Sequence, residues 1–394
     1  MSNERAFDQL ALPADTSGCY FYRMGFPFLS LKTIARDIRI VESCKFILEP
    51  NFYRTLRIVH VQRQVSDAQC DLFLKFLKPL SNAIGFHLIY NIDDCVGYDQ
   101  IPAYNASRDV FSNKRFFENI KNIMNACDFV VVTTDLLKQY YIDYFNVKSE
   151  NIVVIPNYLP RWWIGETYNL QRQERIYQDT INRPKIGLPL SSSHYDVKNQ
   201  NGGVDDITHI CDFVRATHKK YLWSFTCHAP KQLEDLYRDG KIEVVPGSDL
   251  LNYPRELWRR NLTAIIAPLQ DNTFNRCKSN IKYLESSALG IPGVYQDLPC
   301  YSPYTEHVFT DANKLQNQLD NLFRDKQKYM KIIKENRHVV DYGKTNIKYF
   351  ERGAWLEKNL SKWYELFSLQ QKTLKFDLRQ LAKKTDDSLK LNLG

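Results

Sequence analysis

The sequence predicts an α/β protein made of two doubly wound domains, each built on a largely parallel sheet. Three observations lead there. Short apolar runs rich in β-branched residues alternate with longer segments whose apolar positions recur at helical spacing, the pattern of parallel strands joined by crossover helices. This pattern fills the first half, stops at a polar segment expected to be irregular from about Gly165 to Arg183, and then restarts. The 394 residues leave room for two cores, since single cores stop growing at roughly 250–300 residues. The expected division is 1–170 for the first domain, 171–345 for the second, and 346–394 for a closing helix and basic tail.

The strands expected in the first domain are "LRIVHVQ" (56–62), "FHLIYNIDD" (86–94), "FVVVTT" (129–134) and "IVVIPN" (152–157). Between them, "DAQCDLFLKFLKPLSNAIG" and "KRFFENIKNIMNACD" carry the helical period. In the second domain the strands are "PKIGLPL" (184–190), "YLWSFTCH" (221–228), "KIEVVPG" (241–247) and "LTAIIAPL" (262–269). The helix "IKYLESSALG" and a short strand at "PGVYQ" follow. Near the C-terminus, Trp355, Leu360, Trp363, Leu366 and Phe367 share one face of a helix that packs back on the body. The final "KKTDDSLKLNLG" reads as a solvated tail or as lysines that track a phosphate backbone.

Composition narrows the classes. No apolar run approaches the roughly 18–20 residues of a membrane helix, and the N-terminus lacks a signal-peptide pattern, so no membrane association and a cytoplasmic location are expected. The nine cysteines are scattered, with no CxxC pair, so neither a disulfide framework nor a zinc site is expected. A net charge of +8 suits a polyanion or a phosphorylated small molecule without selecting either. The phosphate-binding P-loop, the GxGxxG turn, the GxSxG elbow and HExxH are all missing, which argues against Walker-type ATP hydrolysis and dinucleotide chemistry.

In open α/β sheets ligands sit beyond the C-terminal ends of strands, and several polar groups occupy such positions here. "NRCKSNIKYLESSALGIP" (275–292) follows a strand, and on one continuous helix Lys278, Lys282 and Glu285 fall within about 60° of one another. A helix start with Arg276 and Lys278 suits phosphate, and Glu285 suits ribose hydroxyls. The alternative is an exposed helix with an ordinary Lys282–Glu285 pair. "SSSHYD" (191–196) offers Ser192, Ser193 and His194 to a phosphate, or is a polar surface loop. "NIDDC" sets Asp93 and Asp94 at a strand end, where at most one faces a given site. His60 ends the preceding strand, as a functional or a structural histidine.

Four stretches in order, "LIYNIDD" (88–94), "ACDFVVVTTDLLKQYY...NIVVIPNYL" (126–159), "KIGLPLSSSHYDV" (185–197) and "IIAPLQDNTFNRCKSNIKYLESSALGIPGVY" (265–295), resemble GT-B glycosyltransferases. The similarity is strongest to the family 4 group and its neighbours. It implies two Rossmann-like domains facing a central cleft, with "GAWLEKNLSKWYELF" as the C-terminal helix that crosses back to the first domain. It also implies a UDP-sugar donor held mainly by the second domain, with no tightly bound metal. Glu285 matches the family's ribose-binding glutamate, Ser192, Ser193 and His194 occupy the diphosphate loop, and Arg276, Lys278 and Lys282 lie near the phosphates. Where many relatives carry a second glutamate near the donor sugar, this chain has Cys277. If the reaction inverts configuration, Asp93, Asp94 or His60 are the candidate bases.

The aromatic- and Asn-rich style resembles proteins of T-even-type bacteriophages, which glycosylate hydroxymethylcytosine in their DNA with glucose or arabinose. An arabinosyl- or glucosyltransferase acting on double-stranded DNA is therefore the expected activity. "RMGFPFLSLK" (23–32), "DQIPAYNASRDVFSNKR" (99–115) and "RWW" (161–163) would supply the DNA-facing cations and aromatics. The alternatives are transfer to a surface-glycan precursor or a protein, and a catalytically inactive binding module.

Overall fold

The computed structural model describes residues 8–35, 38–97, 99–164, 168–343 and 351–372. These fall into two compact units. The first comprises Met1–Asp93, Asn113–Pro156 and Leu360–Gly394; the second comprises Asp94–Ser112 and Asn157–Asn359.

In the first unit, strands β1 (Gln9–Leu12), β2 (Ile40–Glu42), β3 (Ile58–Gln62), β4 (His87–Asn91), β5 (Phe129–Val132) and β6 (Ile152–Val154) form one sheet in the order β2-β1-β3-β4-β5-β6. Every pairing is parallel. The four strands expected from β-branched runs are present, and the sheet adds β1 and β2. "QLAL" contains no β-branched residue and begins with glutamine, so its pattern does not announce a strand. It is nevertheless fully buried beside β3. Local signals set the crossover helices: Ser66 and Gln69 make a reciprocal capping box for Asp67–Leu72, and Gly85, at φ +95°, closes Lys78–Ile84 ahead of β4.

In the second unit, β7 (Lys185–Leu188), β8 (Leu222–Thr226), β9 (Glu243–Val245), β10 (Ala264–Ala267), β11 (Gly293–Gln296) and β12 (Val308–Phe309) form a parallel sheet in the order β12-β11-β10-β7-β8-β9. This is the dinucleotide-fold order, in which the chain starts in the middle and builds outward both ways, so β7 and β10 flank the topological switch point. Gly187 lets them approach: a Cβ there would lie 2.4 Å from Leu262 Cδ1. The two-residue edge strand β12 is too short to read from periodicity.

The stretch expected to be irregular holds a helix, Leu170–Thr180, whose start is capped by the Asn169 side chain accepting from the Arg172 N–H. It buries little more than Gln173, Ile176 and Tyr177 amid charged residues, so its average polarity hides it. The closing helix forms over Leu356–Phe367 and is shorter than the helical pattern of "ERGAWLEKNLSKWYELFSLQQKTLKFDLRQLAKK" (351–384), since 368–372 are not helical; Trp355, Leu360, Trp363, Leu366 and Phe367 are all buried. Its residues from Leu360 onward belong to the first unit, where Trp363 stacks on Phe367 and receives the Arg23 guanidinium over its ring at 5.2 Å. The tail "KKTDDSLKLNLG" lies outside the described residues. Among those described, no helix is long and apolar enough to cross a membrane.

Candidate functional site

The loops after β7 and β10 meet at the switch point of the second sheet. Asp206, 1 % exposed, is their common acceptor. Its Oδ1 receives the Tyr104 hydroxyl at 2.6 Å, the Gln270 N–H at 2.8 Å and the Asn275 amide at 2.7 Å. Its Oδ2 meets His194 Nδ1 at 2.7 Å. Burial opposes a charge on Asp206, but these hydrogen bonds outweigh it and hold the carboxyl below the usual carboxylate range. Burial and the nearby Lys278 ammonium push the His194 imidazole down, against the pull of Asp206. The neighbouring Asp205 is consumed by the loop itself, accepting from the Ile207 and Asp196 N–H groups, and burial raises its pKa.

Ser192 and His194 belong to a single turn, Ser192–His194, directly after β7. Ser192 is exposed, and the Ser193 hydroxyl lies 2.7 Å from that of Ser191. This is a loop of hydroxyls held beside a buried acid–imidazole pair.

The single helix expected to carry Lys278, Lys282 and Glu285 on one face is interrupted. Thr273–Arg276 makes one turn, capped by the Asn272 side chain on the Asn275 N–H, and the main helix begins only at Ile281. Lys278 therefore lies in the connection and not on the helix face with Lys282 and Glu285. Asn272 and Asn275 both favour local hydrogen bonds over helix continuation. Arg276 is exposed and paired with Asp271 at 2.7 Å.

Lys282 and Glu285 do pair, at 2.9 Å, but this is not an exposed pair: their side chains are 20 % and 4 % accessible. Lys282 also reaches the Tyr253 hydroxyl at 3.2 Å, with its ammonium 4.7 Å from that ring's centroid. Burial disfavours the ammonium, yet Glu285 and Tyr253 together raise its pKa above the ordinary lysine value. Both Lys278 and Lys282 act electrostatically on His194, which ties the helix to the switch-point cluster. Cys277 is buried and hydrogen-bonded to Cys95, which lowers its pKa.

In the first unit, His60 is fully enclosed. It donates from Nε2 to Gln9 Oε1 at 3.0 Å, because the Gln9 amide nitrogen is committed to the Phe367 carbonyl. The Phe28 and Phe367 rings cover it at 5.2 and 4.7 Å, and burial pushes its pKa down to about 3. That enclosure makes it a packing residue. Asp93 and Asp94 are half-buried just past β4, the last residue of the first unit and the first of the second.

Of the stretches expected to face DNA, most of the aromatic content is core. Arg23, Phe26 and Phe28 are buried, with Arg23 donating to Asn91 Oδ1 and the Ile155 carbonyl. Tyr104 and Phe111 are buried in the second unit, and Asp109 is held by Lys198 and Gln200. Trp163 is buried, its indole N–H on the Leu250 carbonyl. Lys32, Lys114, Arg115, Arg161 and Trp162 are exposed. Sequence reading missed Tyr104, Asp206, Gln270, Asn275 and Tyr253. Gln270 and Asn275 follow β10 in "LQDNTFN" and Asp206 closes the long loop after β7 in "GGVDD"; Tyr104 falls in the stretch expected to face DNA, and Tyr253 opens the helix Tyr253–Arg259.

No protein-family model matches the sequence, and no curated protein matches it. Solved structures do. A glycosyltransferase from Rickettsia africae is 14 % identical over 92 % of this chain and 98 % of its own, with a TM-score of 0.54. HepE of Anabaena, solved with UDP and glucose, is 11 % identical over 92 % of this chain and all of its own, with a TM-score of 0.59. WaaG, a glycosyltransferase of lipopolysaccharide biosynthesis, is 11 % identical over the same shares, with a TM-score of 0.54. Two parallel six-stranded sheets with surrounding helices, matched along nearly the whole chain, show that this protein has the GT-B fold of those glycosyltransferases.

Proposed function

We propose that the chain is a glycosyltransferase that moves a sugar from a UDP-sugar to an acceptor hydroxyl. The observation that carries this reading is the buried Lys282–Glu285 pair beside the β7 loop at the switch point of the second sheet. A buried ion pair stabilises a fold poorly compared with apolar packing, so its presence at a ligand position favours a binding role. HepE has been solved with UDP-glucose, in agreement with such a donor. Glu285 accepts from the ribose hydroxyls. Ser192, Ser193 and His194, with Lys278 and Lys282, receive the diphosphate, and Arg276 joins them by exchanging its Asp271 partner. Fixed cations stabilise the departing nucleoside diphosphate, and the donor needs no tightly bound metal in this scheme. Asp93 or Asp94 serves the acceptor hydroxyl; His60 does not, because it is enclosed.

For the acceptor, we infer the hydroxymethyl group of modified cytosine in double-stranded phage DNA, with arabinose or glucose as the sugar. The net charge of +8 and the exposed Lys32, Lys114, Arg115, Arg161 and Trp162 support this. A surface-glycan precursor is the second reading, favoured by the likeness to WaaG. The domain roles follow the same scheme, with the acceptor on 1–170 and the donor on 171–345. Incubation with UDP-glucose or UDP-arabinose and either hydroxymethylated or unmodified DNA tests it. Transfer only to the hydroxymethylated duplex supports the DNA acceptor. Donor hydrolysis without transfer and without salt-sensitive DNA binding rejects it and leaves the glycan reading.

A further inference from the structure

We propose that Asp206 and His194 form a proton-accepting pair within the donor site, so that binding of a nucleoside diphosphate sugar is coupled to uptake of one proton by the imidazole. The inference rests on the donor reading above and adds a role for Asp206, Tyr104 and Asn275, which bind no donor themselves. They are positioning residues.

The geometry makes the direction of the ring unambiguous. Asp206 is held by three donors besides His194, at 2.6, 2.8 and 2.7 Å. A carboxylate so surrounded accepts from Nδ1–H whether the imidazole is neutral or charged. Nε2 is then the working atom. Among the described residues it has no hydrogen-bond partner, and it is not one of the fully buried unpartnered atoms, so the ring's residual 11 % exposure includes it. With the ring neutral, Nε2 carries a lone pair. With the ring protonated, it carries an N–H.

A phosphate diester offers only acceptor oxygens, so it selects the protonated ring. The charges around His194 set the empty state the other way. Burial is the first cause that disfavours a cation there, Lys278 and then Lys282 add to it, and Asp206 alone favours it. Glu285 is engaged with Lys282, Asp205 with its own loop, and His209, beyond Asp206, with Gln296 at 2.9 Å. A bound diphosphate offsets the Lys278 charge, the larger of the two, and accepts from Nε2–H, which compensates the burial of the cation while Asp206 remains as counter-ion. The proton moves from solvent to Nε2, and no other bond changes.

Titration calorimetry of the full chain with UDP-glucose and UDP-arabinose, in buffers of different ionisation enthalpy at pH 7.5, reads this directly. These diesters have no phosphate proton to exchange near neutrality. Wild type is expected to take up protons on binding, and its affinity to fall by up to about tenfold per pH unit on the alkaline side. His194→Gln should bind without uptake and with pH-independent affinity. Asp206→Asn, if folded, should show reduced uptake. Wild-type binding without uptake, or unchanged uptake in His194→Gln, overturns the proposal and leaves the donor reading intact. A folded wild type that binds neither UDP-sugar overturns the donor reading and this proposal together.

Discussion

Lys282 Nζ lies 2.9 Å from Glu285 Oε2 with the Tyr253 hydroxyl as its second partner, an ion pair one helical turn long and largely shielded from water. Breaking such a pair from one side strands the other charge. Glu285→Ala is expected to lower stability by about 3–5 kcal/mol and to abolish UDP-sugar turnover. The double change Lys282→Met with Glu285→Leu should recover most of the stability, since apolar replacements of buried pairs are often neutral, and recover none of the turnover. Thermal unfolding and UDP release, measured in parallel, separate the two effects. Retained turnover in folded Glu285→Ala would point to a donor site organised without Glu285.

His60 makes acid stability a property of the first unit. Its folded pKa of about 3 lies below the ordinary 6.5 of an unfolded histidine, so the unfolded chain binds the extra proton. Its contribution is therefore fully present above pH 6.5, and is lost progressively as pH falls toward 3. At about 1.36 kcal/mol per pH unit, wild type should lose about 2 kcal/mol more than His60→Gln between pH 7.5 and pH 5. Denaturant unfolding at both pH values checks this, and equal losses in the two proteins would refute it.

Asp8 and Arg57 pair at 3.0 Å ahead of β1 and β3, with both side chains under 10 % accessible. Asp8 also accepts from the Arg39 N–H at 3.0 Å. Asp8→Asn should destabilise by about 3 kcal/mol through the uncompensated guanidinium. At a temperature where the variant is folded, UDP-sugar affinity should be unchanged, which calorimetry can measure.

Gly290 ends the Ile281–Leu289 helix at φ +73°, and a Cβ there would stand 2.8 Å from the Tyr168 ring. Gly290→Ala should cost about 1–2 kcal/mol for the left-handed backbone alone, with more for displacing Tyr168. Melting temperature reports the sum. An unchanged value would mean that the helix end relaxes freely.

Much of the fold is legible from periodicity because long β-branched runs such as "IVHVQ" and "FVVV" have few alternatives to a buried parallel strand. β1 is not legible, since "QLAL" becomes a strand only through its neighbours β2 and β3. The helix Leu170–Thr180 is hidden by its charged face in the same way. In the candidate site, Glu285, Lys282 and His194 stand out by residue type and by their place after strands. Asp206 and Tyr104 do not, because they are 102 residues apart and their partnership exists only after folding.

By itself the sequence determined the alternation of strands and helices, the two-sheet architecture and the closing helix, because apolar periodicity is a local property that each segment carries alone. Tertiary structure alone decided that the Lys282–Glu285 pair is buried, that His60 is sealed between Phe28 and Phe367, and that Asp206 holds His194. Burial and charge pairing depend on which distant segments exclude water from a side chain, and spacing along the chain does not encode that.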